Sequence, residues 1–149
     1  MAGTQQLRRT NEDTTATATE PSLGDIVLRS GIVALTIGTG AIHLTLGGLL
    51  FTLNGLGYLT AAVAMVIPLE LAIRYRGVVR LGVMAYAATT IVGWYLMGPR
   101  YETAYVAKAI EVGLIALLAI EIRRLDGSPV AIVRRALGDV VAAAHRVVQ

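Results

Sequence analysis

Four long apolar stretches, separated by short polar segments, dominate the chain. They cover about 31–53, 56–73, 79–98 and 103–122. A helix rises about 1.5 Å per residue, so about 20 mostly apolar residues cross the roughly 30 Å of hydrocarbon in a bilayer. Each stretch is long enough for one crossing. The pattern therefore predicts an all-α fold, an integral membrane four-helix bundle.

The segments on either side of these stretches have different patterns. Residues 1–22 are polar and rich in threonine, which is typical of a disordered tail. Residues 23–127 then form the four-helix transmembrane domain. Ser128 and Pro129 favour the start of another helix, because serine caps a helix and proline fits its first position. We therefore predict an amphipathic helix over 128–149.

This last helix has apolar residues at helical spacing and charged residues opposite them. It is too charged to cross the membrane, so we expect it to lie in the interface on the cytoplasmic side. Its arginines would then face anionic lipid. The alternative is that it docks onto a partner helix. The arginines concerned are Arg134, Arg135 and Arg146.

Basic residues are distributed unevenly between the two ends of the predicted bundle. Eleven of the 13 lie before the first stretch, between the second and third, or after the fourth. Such residues stay on the cytoplasmic side. We therefore expect a multi-pass protein of the cell membrane with both termini in the cytoplasm. The arginines flank apolar stretches without interleaved aromatic residues, so we do not expect nucleic acid to be a partner.

Turn residues and aromatic residues indicate where the predicted outer ends lie. Asn54-Gly55-Leu56-Gly57 tolerates tight turns and predicts the link between the first two spans. Several aromatic residues fall near the predicted outer ends, as expected for rings that prefer the depth of lipid headgroups. They are Tyr58, Trp94, Tyr95, Tyr101 and Tyr105.

Small residues recur every fourth position in the first span. Ser30, Ala34 and Gly38 form one stripe, and Thr36 and Gly40 form another. Small residues allow helices to approach closely in lipid, where the hydrophobic effect gives them little reason to associate. We therefore expect close helix packing, with one face available for a second copy or a larger membrane complex.

Ionisable residues inside a membrane are costly and are candidates for function. His43 is predicted about 15 Å deep in the first span, and Glu111 about 12 Å deep in the fourth. If these spans are neighbours, the two side chains lie within hydrogen-bonding reach and form a candidate proton or cation site. Alternatively, they only lock the bundle together, with Glu111 paired to Lys108 three residues earlier.

Two further ion pairs are predicted near the inner boundary. Glu70 and Arg74 are four residues apart, and Glu121 and Arg124 are three apart, so each pair shares one face of a helix. We interpret both as solvated pairs at the interface, with lining of a pathway as the alternative.

This chain lacks the residue patterns of most catalytic sites. There is no cysteine, which removes disulfides, thiolate nucleophiles and cysteine-ligated metals. A bis-histidine haem site inside the membrane is excluded for one chain, because the only histidine besides His43 is His145 in the predicted surface helix. We therefore expect no enzymatic activity, no cofactor and no metal site.

Several segments resemble small four-span membrane proteins of halophilic archaea and actinobacteria. These segments are Ala41-Ile42-His43-Leu44, the run from Gly47 to Tyr58, Gly98-Pro99-Arg100-Tyr101, and the run from Tyr105 to Glu111. The resemblance implies no particular activity. It does imply that a histidine, a hairpin asparagine and a Lys-x-x-Glu motif belong to one constellation. In this chain these residues are His43, Asn54, Lys108 and Glu111.

Three functions are compatible with these sequence features. The first is an accessory or structural subunit of a membrane assembly. The second is a small transporter or an ion- or proton-conducting oligomer that uses His43 and Glu111. The third is a lipid-organising envelope protein of a cell or of a membrane-containing virus. Membrane lipid and either a second copy or a larger complex are the expected partners.

Overall fold

The computed structural model describes residues 22–147, which are all-α, as predicted. Four of the helices are long and apolar enough to cross a membrane, so the protein is a multi-pass membrane protein with a four-helix bundle. The helices, numbered along the chain, are α1 Leu23–Thr45, α2 Leu49–Val66, α3 Glu70–Arg74, α4 Arg76–Met97, α5 Glu102–Leu125 and α6 Pro129–Val147. The spanning helices are α1, α2, α4 and α5.

The four spanning helices run alternately up and down because short links join them. Helix α1 packs mainly against α2 and α5, and α4 packs against α5 and α2. We call the end with the α1–α2 and α4–α5 links the hairpin end, and the end where α1 begins and α5 finishes the terminal end. The core between them contains Ile32, Tyr58, Val83, Ala87, Leu114 and Leu118.

The first predicted turn is wrong. Helix α1 ends at Thr45, and the chain reverses at Gly47 and Gly48, whose φ angles are +71° and +85°. Only glycine adopts such angles without strain, so these two residues end the helix although the apolar pattern continues on both sides. Asn54 and Gly55, predicted to form the turn, lie inside α2.

The predicted end of the second span also differs from the structure. Helix α2 ends at Val66, and Ile67 adopts an extended conformation before Pro68. Proline disfavours a helical conformation in the residue before it and lacks the N–H needed to continue the helix. The rest of the predicted span, up to Ile73, therefore belongs to a short extended segment and to α3. The third and fourth spans differ from their predicted bounds by only a few residues.

The C-terminal region forms a separate helix, as the sequence indicates. Ser128 accepts a hydrogen bond at its hydroxyl from the N–H of Ala131, over 3.2 Å. Helix α6 contacts α4, with Ile132 buried. Its larger apolar face stays exposed and comprises Val130, Val133, Leu137, Val140 and Val141. The predicted tail over residues 1–21 and the last two residues of the predicted helix lie outside the described residues.

Helices α1 and α2 approach each other closely where two glycines meet. A Cβ atom on Gly55 would lie 2.8 Å from the carbonyl oxygen of Gly40 and 2.7 Å from the side chain of Leu44. Gly40, on the second small-residue stripe, thus serves close packing. Gly38, on the first stripe, has nothing within 4 Å of the corresponding position.

We expect Gly55→Ala to destabilise the bundle by about 1–3 kcal/mol, because the added methyl forces the two helices apart. Gly38→Ala is the matched control on α1, and we expect it to be neutral or slightly stabilising because alanine favours helix formation. Unfolding of the purified variants in detergent measures both effects. Equal stability of the two variants would contradict this packing.

Candidate functional site

A fully buried carboxylate lies in the interior of the bundle. Glu111 is nine residues after the start of α5, roughly 14 Å from the hairpin end along the helix. Its side chain is 0% exposed. A carboxylate at this depth is stable only if protein groups replace the hydrogen bonds of water.

Each of the four spanning helices supplies a hydrogen-bond donor to this carboxylate. Its Oε1 atom accepts from the hydroxyls of Thr39 and Tyr58, each over 3.3 Å. Its Oε2 atom accepts from the hydroxyl of Thr90 over 2.7 Å and from the ammonium of Lys108 over 2.6 Å. Helices α1, α2, α4 and α5 therefore converge on one side chain. Together with His43, these residues are called the Glu111 site.

His43 faces the carboxylate without a direct hydrogen bond. Its Nε2 atom lies 3.7 Å from Oε1 of Glu111, beyond the usual hydrogen-bonding range. Its Nδ1 atom lies 2.8 Å from the carbonyl oxygen of Thr39. Because a carbonyl only accepts, we assign the ring proton to Nδ1. In the neutral ring, Nε2 then presents a lone pair toward a carboxylate oxygen.

The position predicted for His43, about ten residues before the end of the first span, is wrong, although its proximity to Glu111 does not depend on it. The histidine lies two residues before the end of α1, because this helix ends at the glycine turn. It is nevertheless buried. Its ring contacts Tyr58 with a centroid distance of 5.7 Å and Phe51 with one of 6.3 Å. Aromatic side chains of α2 therefore cover the histidine on this side.

The ammonium of Lys108 balances the charge of Glu111. The lysine lies one helical turn closer to the hairpin end, and its side chain is 12% exposed. The two charges make the site neutral as a whole when His43 is neutral. Because the lysine is partly exposed, this charge pair is accessible through Lys108 but not through Glu111.

An apolar cavity of about 420 Å³ lies at the hairpin end and borders the Glu111 site. We call it the hairpin-end cavity. Aromatic and aliphatic side chains of α2, α4 and α5 form most of its wall. Its wall also contains polar side chains, among them those of His43, Asn54, Tyr86, Thr89, Thr90 and Lys108. A small molecule or water that enters from this end therefore meets both His43 and Lys108.

Asn54 joins the site indirectly. Its side-chain oxygen accepts a hydrogen bond from the hydroxyl of Tyr86. The ring of Tyr86 lies 5.0 Å from the ring of Tyr58, which donates to Glu111. The structure thus places His43 and Lys108 beside Glu111. Asn54 lies on the cavity wall and is linked to the site through Tyr86 and Tyr58.

Sequence reasoning missed three of the donors to Glu111. Thr39 precedes His43 by one helical turn and so shares its face of α1, which is a usable signal. Tyr58 was predicted to lie in the outer aromatic belt, yet it is only 1% exposed and lies in the core. The wrong first turn explains this error, because it placed Tyr58 at the start of a helix. Nothing distinguishes Thr90 from its neighbour Thr89 in sequence.

A second set of buried charges lies at the terminal end. Arg80 donates to both carboxylate oxygens of Glu121, over 2.8 Å and 3.2 Å. Arg29 lies 3.3 Å from the same carboxylate, and Arg80 also lies 3.6 Å from Asp126. Three helices, α1, α4 and α5, are therefore linked through Glu121. The bidentate geometry is among the strongest that a carboxylate forms.

The pair of Lys108 and Glu111 within α5 is confirmed, but the two pairs predicted near the inner boundary are wrong. Glu121 pairs with Arg80 and Arg29, and Arg124 lies 3.7 Å from Asp25. Arg74 lies 2.8 Å from Asp139 of α6, and Glu70 is exposed. A hydrogen bond from Arg74 lowers the pKa of Asp139 below its ordinary value.

The basic residues predicted to face lipid are all exposed on α6. Arg134 and Arg146 lie on its surface, and Arg135 also lies 3.3 Å from Asp126, which ties α6 to the end of α5. Within residues 22–147, no three histidine or acidic side chains lie close enough together to hold a metal ion.

We expect Lys108→Met to destabilise the bundle by about 3–5 kcal/mol, because Glu111 would then be a buried charge without a counter-charge. The double variant Lys108→Met/Glu111→Gln removes both charges, and we expect it to recover most of this loss. Unfolding of the variants in detergent measures the coupling. Additive losses in the double variant would show that the two charges do not depend on each other.

Comparisons with known proteins provide no further assignment for this site. No family model matches the chain, and neither a curated protein nor a solved structure matches it significantly. The resemblance to small four-span proteins therefore stays a prediction, and the function has to be argued from the geometry alone.

Proposed function

We propose that this membrane protein is a small proton-conducting or proton-coupled transporter that takes up a proton between His43 and Glu111. The observation that carries the proposal is the arrangement of two facing acceptors. Nε2 of His43 and Oε1 of Glu111 lie 3.7 Å apart, while Nδ1 is engaged by Thr39. One added proton on Nε2 turns this contact into an attraction between an imidazolium and a carboxylate.

Access to this site supports a transport function. The hairpin-end cavity leads to His43 and Lys108, whereas the buried side chains of Ile32, Leu114 and Leu118 fill the bundle toward the terminal end. The site therefore borders a cavity on its hairpin-end side and packed apolar side chains on its other side. A carrier in one of its two states has this property, and release to the other side requires the apolar layer to open.

The direction of transport follows from the orientation that we propose. Arginines concentrate at the terminal end, so this end and both termini face the cytoplasm of the cell. The hairpin-end cavity then opens to the outside. In this arrangement, protons enter through the cavity from outside.

Proton flux into liposomes tests the proposal. The purified protein is reconstituted with a pH-sensitive dye inside, and a potassium diffusion potential drives proton entry. We expect flux in the wild type and a fall to the level of empty liposomes in Glu111→Gln and in His43→Gln, because both variants lose the proton site.

Thr89→Ala is the matched control for this experiment. Thr89 lines the same cavity, but its hydroxyl donates to the carbonyl of Ala85 in its own helix rather than to Glu111. We expect unchanged flux in this variant. Wild-type liposomes that conduct no better than empty ones, or a well-folded Glu111→Gln variant that conducts normally, would refute the proposal.

A second candidate is an accessory or structural subunit of a membrane assembly. The exposed small-residue stripe of α1 favours it, because Ser30 and Ala34 are exposed and nothing lies near Gly38. Such a stripe lets another helix approach closely in lipid. Under this candidate function, a different protein covers the stripe.

Purification in mild detergent followed by native mass spectrometry separates these candidates. An accessory subunit should retain a different protein at fixed stoichiometry, and Gly38→Leu should release it because the larger side chain blocks the approach. Recovery of only monomers or homo-oligomers would argue against the accessory function.

A further inference from the structure

A second cavity of about 420 Å³ lies at the terminal end, on the far side of the apolar core from Glu111. We call it the terminal-end cavity. It forms between α1, α2 and α4 because α2 ends at Val66, before the extended segment that contains Pro68. The Glu111 site has no residue in its wall, so the two cavities are separate features.

One part of this cavity is basic. Arg29, Arg76 and Arg80 lie in its wall, together with the single acidic side chain of Glu121. Arg80 is occupied by its bidentate contact with Glu121. The remaining two arginines give the wall an excess of positive charge.

These two arginines retain unused donors. The side chain of Arg29 is 48% exposed, and its one ion pair with the described residues is the 3.3 Å contact with Glu121. Arg76 donates from one terminal nitrogen to the carbonyl of Ile67, over 3.4 Å. Its Nε atom is buried and has no hydrogen-bond partner among the described residues. Protein atoms cover this nitrogen, so a ligand in the cavity has to bind the terminal nitrogens, where charge-assisted hydrogen bonds favour an anion.

The other part of the cavity is apolar and extends along the bundle. Its lining on α1 extends from Arg29 to Ile37, which is roughly 12 Å along the helix. Val33 and Ala34 lie between these residues, and Met65 and Val66 of α2 face them across the gap. The cavity thus combines a basic end with an apolar groove inside a membrane-spanning bundle.

We infer that the terminal-end cavity is a binding site for one anionic phospholipid. The phosphate is held between Arg29 and Arg76, and one acyl chain lies in the groove along α1. Basic pockets between spanning helices hold lipid headgroups by the same combination of charge and hydrogen bonding. The apolar groove favours a lipid over free phosphate, which has no group to fill it. This inference does not depend on the proposed proton site.

Binding of short-chain lipids to the purified full-length protein tests the inference. The probes are dioctanoyl phosphatidylglycerol, dioctanoyl phosphatidylcholine and inorganic phosphate, measured by native mass spectrometry and by calorimetry. We expect tight binding of the anionic phosphatidylglycerol at a stoichiometry of one and weaker binding of the zwitterionic phosphatidylcholine. Inorganic phosphate should neither bind comparably nor displace the lipid, and displacement would identify a free-phosphate site instead.

Charge-matched variants separate this site from general attraction to the basic surface. We expect Arg76→Gln and Arg29→Gln each to weaken binding of phosphatidylglycerol roughly tenfold, through loss of a charge-assisted hydrogen bond. Arg134→Gln and Arg146→Gln remove the same charge from the exposed face of α6, and they should leave binding unchanged. Equal loss in all four variants would overturn the inference.

A variant in the groove tests the acyl-chain half of the site. Ala34→Phe fills the groove without altering any charge, and Ala34 is exposed rather than part of the core. We expect it to abolish binding at a stoichiometry of one while the thermal stability in lipid-free detergent is maintained. Undiminished binding in Ala34→Phe would show that no acyl chain lies in the groove.

Discussion

A carboxylate in the interior of a membrane-spanning bundle has to find its hydrogen-bond donors within the protein, because lipid supplies none. Glu111 meets this requirement with donors from all four spanning helices. Each of these donors is placed correctly only when its helix has the right depth and rotation. The carboxylate therefore constrains the relative positions of the helices more specifically than apolar packing does, since apolar side chains tolerate repacking.

The same constraint acts at the terminal end, but with a different result. Glu121 is held by Arg80 and Arg29 on two other helices, so this carboxylate also links separate helices. Here the wall of the terminal-end cavity contains three arginines and one acid, and Arg76 donates to the carbonyl of Ile67 alone among the described residues. The charges of Glu111 and Lys108 cancel each other, whereas the wall of the terminal-end cavity has an excess of positive charge. The proposed proton site depends on the first arrangement, and the inferred lipid site depends on the second.

The sequence predicts the fold class because hydrophobic length alone identifies four spanning helices. It fails at the first turn, because Gly47-Gly48 and Asn54-Gly55 both permit a reversal and lie within one apolar run. The structure resolves the choice through packing: Gly55 is needed where α1 and α2 touch, and Asn54 pairs with Tyr86. Spacing along one helix finds Lys108 and Glu111, but it cannot find Tyr58 or Thr90, whose contacts with Glu111 exist only after the helices assemble.

The hydrogen bonds that Glu111 accepts are compatible with a purely structural function. The proposal of proton uptake therefore depends on the position of His43. A purely structural histidine would normally use both ring nitrogens in hydrogen bonds. His43 uses Nδ1 on Thr39, while Nε2 stands 3.7 Å from an oxygen that cannot donate to it. Two acceptors so close together repel each other until a proton arrives. Under the proposed function, a proton would reach Nε2 through the hairpin-end cavity, which His43 also lines.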